Sequence, residues 1–154
     1  MSDLLHFEDF RAGQRFALGT LTIDAEEVVE FAREFDPQPQ HTDPEAAKRS
    51  ILGGLAASGW HLGPLAMRLI VDGLLNKSTS MGSPGLDELQ WRKPALVGDR
   101  LQLNGEVLDT RVSSRKDRGF VRFRFALTRD EDARKGELVM MFVCSVMFRR
   151  RSAD

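Results

Sequence analysis

From Trp60 to Leu75 apolar residues fall on almost every side: Trp60, Leu62, Leu65, Ala66, Met67, Leu69, Ile70, Val71, Leu74 and Leu75. A helix with no wet face has to be enclosed by the rest of its chain. The enclosing material follows it in sequence. Leu86–Lys93, Arg100–Val112, Gly119–Thr128 and Glu137–Arg149 all read as strands. Val121, Phe123, Phe125 and Leu127 alternate with Arg122, Arg124 and Ala126, the pattern of a strand with one dry face and one wet face. Leu138 to Phe148 is nearly continuous apolar, which suits a strand buried on both faces. Such a run is too apolar for a solvent edge, so the chain is expected to form a homodimer or a larger homo-oligomer. One early buried helix followed by long antiparallel strands gives an α+β fold, a sheet curled around a helix, as a single domain over residues 1–154.

The segments before that helix carry clear punctuation. Phe7, Phe10 and Phe16 flank a turn at Ala12-Gly13, and a short strand runs from Leu18 to Ile23. Asp24 is a good N-cap, with Glu27 at the capping-box position. Val28, Phe31, Ala32 and Phe35 recur at helical spacing, so 25–35 is an amphipathic helix that stops at Asp36-Pro37. Pro37 and Pro39 predict a rigid, irregular connection to a brief helix that opens at Asp43-Pro44. Gly53-Gly54 interrupts regular structure, and 76–85 is a loop by composition. Pro64 lies in the first turn of the apolar helix or kinks it.

Composition excludes several functions. The net charge of −1 leaves no global field to draw in nucleic acid. Arg149-Arg150-Arg151 is local and reads as a solvated tail. Cys144 is the single cysteine, so there is no internal disulfide and no multi-cysteine metal site, a pattern compatible with the cytoplasm. No signal-peptide core opens the chain. Arg68 and Asp72 interrupt the best candidate for a membrane span, so no membrane partner is expected.

Chemistry concentrates in Asp36-Pro-Gln-Pro-Gln-His41, an acid and an imidazole five positions apart. A helix start at Ser58-Gly59 would aim free N–H groups at whatever they act on. Each residue also has a plain reading. Asp before Pro is ordinary turn chemistry, and His in a polar loop is usually solvated. Gln38 orients a neighbour, holds substrate, or is a turn residue. Ser58 donates near the site or caps the helix. His61 reads as a satisfied core histidine, Cys144 as inert core, and Met67 as core before pocket lining. Arg92, Lys93, Arg115, Lys116 and Arg118 either meet phosphates or are solvated charge. His41, Asp43 and His61 lack zinc-like spacing, so no metal is expected.

Asp36-Pro-Gln-Pro-Gln-His41-Thr-Asp-Pro-Glu-Ala-Ala47 resembles the hydratase motif of the MaoC-like dehydratases: Asp, any residue, Asn, Pro, any residue, His. Gly53-Gly-Leu-Ala-Ala-Ser-Gly59 is similar to the glycine-rich stretch that leads into that family's central helix. Leu89-Gln-Trp-Arg-Lys-Pro94 and Val97-Gly-Asp99 resemble its later strand and turn. Two departures are Gln38, where the family usually has Asn, and Ser58, where many members carry His. The resemblance implies a hotdog fold, dimers built by sheet pairing, and hydration or dehydration of enoyl and (R)-3-hydroxyacyl thioesters. The partner would be an acyl-CoA or acyl-carrier-protein thioester, with coenzyme A as part of the substrate and no further cofactor. It implies that Asp36 and His41 hold the reactive water and that the Gly59 amide binds the thioester oxygen. The missing Cβ of Gly59 would let the thioester approach, and Gln38 and Ser58 would be substrate-binding. The alternatives are a hotdog acyl-CoA thioesterase and a non-catalytic acyl-thioester-binding module. The Asp36–His41 spacing argues against the thioesterase, whose sites typically use a lone carboxylate, or an Asn or Asp on the helix.

Overall fold

The computed structural model describes residues 3–154, without the side chain of Asp132. Six strands form one antiparallel sheet: β1 (Arg15–Thr22), β2 (Ser80–Gly82), β3 (Leu86–Trp91), β4 (Arg100–Val112), β5 (Arg118–Arg129) and β6 (Leu138–Arg149). The order is β1-β4-β5-β6, and β2 and β3 both pair with the far side of β6. The helices are α1 (Ala25–Phe35), α2 (Pro39–Thr42), α3 (Pro44–Arg49) and α4 (Gly59–Gly73). This is the hotdog arrangement, an α+β fold with the sheet wrapped around α4.

Strand alternation sets the core. Leu101, Leu103 and Val107 on β4 and Val121, Phe123, Phe125 and Leu127 on β5 are buried on the face toward α4. From α4, Leu62, Ala66 and Ile70 meet them. Burying a side chain such as Ile70 contributes about 1.5–3 kcal/mol. Phe10 adds an aromatic plug, 4.4 Å from the Phe148 ring and 5.8 Å from Phe123. β6 is buried on both faces as expected, with Met141 and Val143 joining Ala126 in a small outer cluster. The argument for a dimer drawn from β6 does not hold, however. β6 is an interior strand satisfied on both sides, and the sheet's edges are β1 at one end and β2 and β3 at the other.

Other expectations change in instructive ways. α4 is not covered on every side by its own chain: Trp60 is 65% exposed and Met67 45%. Pro64 sits beyond the first turn, inside a helix that continues through it. The 76–85 segment contains β2, whose Ser80 pairs with Phe148. The segment after Asp36 is not wholly irregular, because Pro39 opens the helical turn α2, where its missing N–H costs nothing. Arg150 and Arg151 are not a solvated tail. Arg151 makes a two-pronged bond to Asp9 (3.0 and 2.7 Å), and its backbone N–H donates to Glu8. The Arg150 backbone N–H donates to the Asp117 carbonyl.

Candidate active site

The site forms where α1 ends and α4 begins. Asp24 caps α1 through the Glu27 N–H, and the helix closes at Asp36, whose own N–H still donates to the Ala32 carbonyl. Pro37 forbids continuation. Asp36 is therefore held by backbone, with its carboxylate turned toward the start of α4. There the Ser58 hydroxyl donates to Asp36 Oδ2 at 2.7 Å and accepts the Trp60 N–H at 3.3 Å. Ser58 is thus both a helix cap and a partner of the acid. Gln38 Nε2 donates to Asp36 Oδ1 at 2.6 Å, while Gln40 Nε2 supports the Gln38 oxygen at 3.1 Å.

His41 sits on α2 with only 7% of its surface exposed. Its Nδ1 lies 2.7 Å from the Ala56 carbonyl, which can only accept, so Nδ1 carries a proton and Nε2 is the ring nitrogen free for chemistry. Nε2 is 3.5 Å from Asp36 Oδ2. The Ala56 carbonyl is itself held. Ala57 N–H donates to Ala95, Val97 N–H donates to Leu55, and Ala56 bridges Leu96. Gly98, at φ +90°, makes the turn that returns this loop into β4. Buried Arg129 clamps it, with Nη1 on Asp99, Nη2 on the Pro94 carbonyl at 2.8 Å and Nε on Glu137 at 3.0 Å. Asp99 also accepts the Leu96 N–H. Arg129 falls in step with the buried Val121, Phe123, Phe125 and Leu127, on the face opposite Arg122 and Arg124, a signal that a strand reading ending at Thr128 left unused.

Burial pushes the Asp36 carboxyl upward. The hydrogen bonds from Gln38 and Ser58, with His41 beside them, outweigh that and hold it below the usual carboxylate range. Asp36 is an anion at neutral pH and a weak base. Among the described residues nothing accepts the Gly59 N–H, the first amide of α4. It opens on a cavity of about 400 Å³ whose lining includes Asp36, Gln40, His41, Ser58, Trp91 and Lys93.

Asp36, His41, Ser58 and Gly59 are therefore brought together. Gln38 lies behind the carboxylate instead of in the cavity lining, whereas Gln40, which the sequence reading passed over, is part of it. Arg92 and Lys93 line the cavity, but Arg115, Lys116 and Arg118 do not, and Arg118 pairs with Asp117. The space that the missing Gly59 side chain would take is filled, although the N–H side opens on the cavity. A Cβ there would lie 2.4 Å from the Trp91 ring, whose Nε1–H donates to the Gly59 carbonyl at 3.2 Å. His61 is buried but not satisfied, since its Nδ1 has no partner among the described residues. Its ring stacks on Phe31 at 4.6 Å, and burial lowers its pKa against the pull of Glu27, so it packs as a neutral aromatic. Among the described residues no group of three or more His, Cys, Asp or Glu is placed to hold a metal ion, and no helix is long and apolar enough to cross a membrane.

The MaoC like domain profile matches residues 9–124, about three quarters of the sequence. This chain belongs to the MaoC-like family. A MaoC-like dehydratase from Rhodospirillum rubrum superimposes with a TM-score of 0.87 at 38% identity, covering 96% of this chain and 99% of that one. An (R)-hydratase from A. caviae shares the fold at a TM-score of 0.70 and 21% identity, over 90% of this chain and 97% of that one. The uncharacterized protein YdeM of Bacillus subtilis (strain 168) is 28% identical over 105 residues, which is 68% of this chain and 74% of YdeM.

Proposed function

We propose that this MaoC-like protein is a hydro-lyase that adds water to trans-2-enoyl thioesters, giving (R)-3-hydroxyacyl thioesters, or runs the reverse dehydration. The observation that carries the reading is the tautomer of His41. Its Nδ1–H is committed to the Ala56 carbonyl, so Nε2 is the nitrogen left to exchange a proton in the cavity, 3.5 Å from Asp36 Oδ2. The likeness to the Rhodospirillum rubrum dehydratase supports it.

In this reading His41 Nε2 takes a proton from water as the water oxygen bonds to the β-carbon. The C=C π pair moves toward the thioester, and the charge gathers on its carbonyl oxygen. The Gly59 N–H, backed by the α4 dipole, meets that oxygen, a preorganised donor of a kind worth about 3–4 kcal/mol. Asp36 stabilises the imidazolium through charge, and the imidazolium then gives its proton to the α-carbon. Gln38 and Ser58 keep the carboxylate ionised and fixed, which is why a Gln at 38 serves although the family motif usually has Asn. Arg92 and Lys93, at the cavity, supply positive charge suited to a phosphate-bearing carrier such as coenzyme A.

The test follows crotonyl-CoA by enoyl absorbance and by free thiol in parallel. Loss of the enoyl signal without thiol, abolished by His41→Ala, is the expected result. Thiol release identifies a thioesterase. No turnover of any acyl thioester, with binding retained, identifies a non-catalytic module.

A further inference from the structure

The two glutamine amides beside the acid have a direction that Asp36 dictates. Its carboxylate only accepts, so Gln38 turns Nε2 toward Asp36 Oδ1 at 2.6 Å. Gln38 Oε1 is then the acceptor of the next link, and Gln40 meets it with its own Nε2 at 3.1 Å. The orientation of Gln40 is therefore fixed: Nε2 is spent on Gln38, and Oε1 is left over. Among the described residues no N–H or O–H donates to that oxygen. Hydrogen bonds in a chain that ends on an anion polarise one another, which makes Gln40 Oε1 a better acceptor than an isolated amide. The main chain is held too. The Gln40 carbonyl accepts the Ala56 N–H at 3.3 Å, while the next residue, His41, donates to the Ala56 carbonyl. Gln40 and His41 are thus braced on one residue, and both line the cavity with Asp36.

Hydration leaves a task for such an oxygen. Water brings two hydrogens. His41 Nε2 takes one, and the other stays on the oxygen as the hydrogen of the product's 3-hydroxyl. Each Asp36 oxygen already holds a short bond, from Gln38 at 2.6 Å and from Ser58 at 2.7 Å. An enoyl group has no donor of its own at the reacting carbons. The retained O–H is the donor that a leftover carbonyl at this place can meet.

We propose that Gln40 Oε1 accepts the retained hydrogen of the reacting water and, in the reverse direction, the 3-hydroxyl of the substrate. With one hydrogen on His41 Nε2 and the other on Gln40, the water cannot turn, and its lone pair is aimed at the β-carbon. The same contact makes the site prefer a chain hydroxylated at C3 over a plain one. The inference rests on the hydro-lyase reading above. It adds to it because the family motif allows any residue at position 40, so the role belongs to the glutamine of this chain.

The experiment measures equilibrium binding of S-[(R)-3-hydroxybutyl]-CoA and S-butyl-CoA to the wild type, Gln40→Met, Gln38→Met and the double variant. Both ligands are thioethers without the carbonyl, so they are neither dehydrated nor hydrolysed. Gln40→Met should weaken the hydroxylated ligand relative to the plain one by about 3–10-fold, the loss of one neutral hydrogen bond. Binding of S-butyl-CoA and the melting temperature should stay unchanged. The relative loss should persist when Gln38 is already Met, because the contact is made by Gln40 itself. An unchanged ratio in Gln40→Met, including equal weakening of both ligands, overturns the proposal. So does a loss that vanishes in the Gln38→Met background, since Gln40 then acts only by bracing Gln38 behind Asp36. With crotonyl-CoA, which carries no hydroxyl, Gln40→Met should lower kcat and leave KM in place. An intact hydroxyl effect in a protein that turns over no enoyl thioester would remove the hydro-lyase reading and leave the Gln40 contact standing.

Discussion

Ser58→Ala removes two bonds at once, and the structure gives each a size. The Ser58 hydroxyl donates to the Asp36 carboxylate at 2.7 Å, and its acceptance of the Trp60 N–H at 3.3 Å caps α4. A hydrogen bond to a charged group contributes about 1.5–3 kcal/mol, and a long cap bond sits at the low end of roughly 0.5–2 kcal/mol. Ser58 is 1% exposed, so solvent does not replace it without opening the site. The expected loss is about 2–3 kcal/mol by urea unfolding at neutral pH, or a Tm decrease of roughly 4–12 °C for a chain of this size. The pH dependence identifies the bond. The folded-state pKa of Asp36 is depressed, so its contribution is present above the unfolded value of about 3.9 and disappears as pH falls through the folded value. The penalty of Ser58→Ala should therefore shrink below about pH 4 toward the cap contribution alone. A penalty under about 0.5 kcal/mol, or one that stays constant down to pH 3, would show that the serine does not hold the acid.

Four further outcomes follow from the same geometry. His41→Ala and Asp36→Asn should each lower enoyl-thioester turnover by about 10²–10⁴-fold in steady-state assays; wild-type rates in either would remove that residue from the site. Arg129→Met should destabilise by up to about 3–5 kcal/mol in urea, because it leaves buried Asp99 with only the Leu96 N–H and the more distant Arg134, and a loss under 1 kcal/mol would contradict the clamp. Cys144, whose thiol burial pushes up to about 11 with a smaller push from Asp87, should resist thiol reagents at pH 8 until the protein is unfolded. The open edge of β3, with Leu86 55% exposed, should pair with a second copy, so sedimentation at micromolar concentration should give a homodimer; a stable monomer would refute it.

Much of this was legible in the residue pattern. Alternation in 121–127 and the apolar run 138–148 placed the sheet, and Asp24, Asp43 and Pro44 marked helix starts where they occur. Asp36, His41 and Ser58 could be nominated because proline and glycine punctuation confined them to ends of elements. What stayed hidden depended on contacts between distant segments. Trp91 seats on Gly59, 32 positions away, and nothing in the periodicity of β3 distinguishes it from core. Arg129 fixes His41 only through Pro94, Asp99 and the backbone of residues 55–57. Arg151 is tied to Asp9, 142 positions earlier. A place between two helices does not by itself show that Asp36 and His41 also hold the structure together. Both anchor other segments, through Ser58 and Ala56. Likewise Gly59→Val is no clean probe of thioester approach, because its side chain would first displace Trp91.

The central claim is that Gly59, His41 and Asp36 act on one thioester. A crystal structure of the protein with an unreactive enoyl-CoA analogue tests it most directly. The account predicts the thioester oxygen roughly 2.7–3.1 Å from the Gly59 nitrogen, with the β-carbon turned toward His41 Nε2. An oxygen bound elsewhere, or a β-carbon facing away from His41, would contradict it.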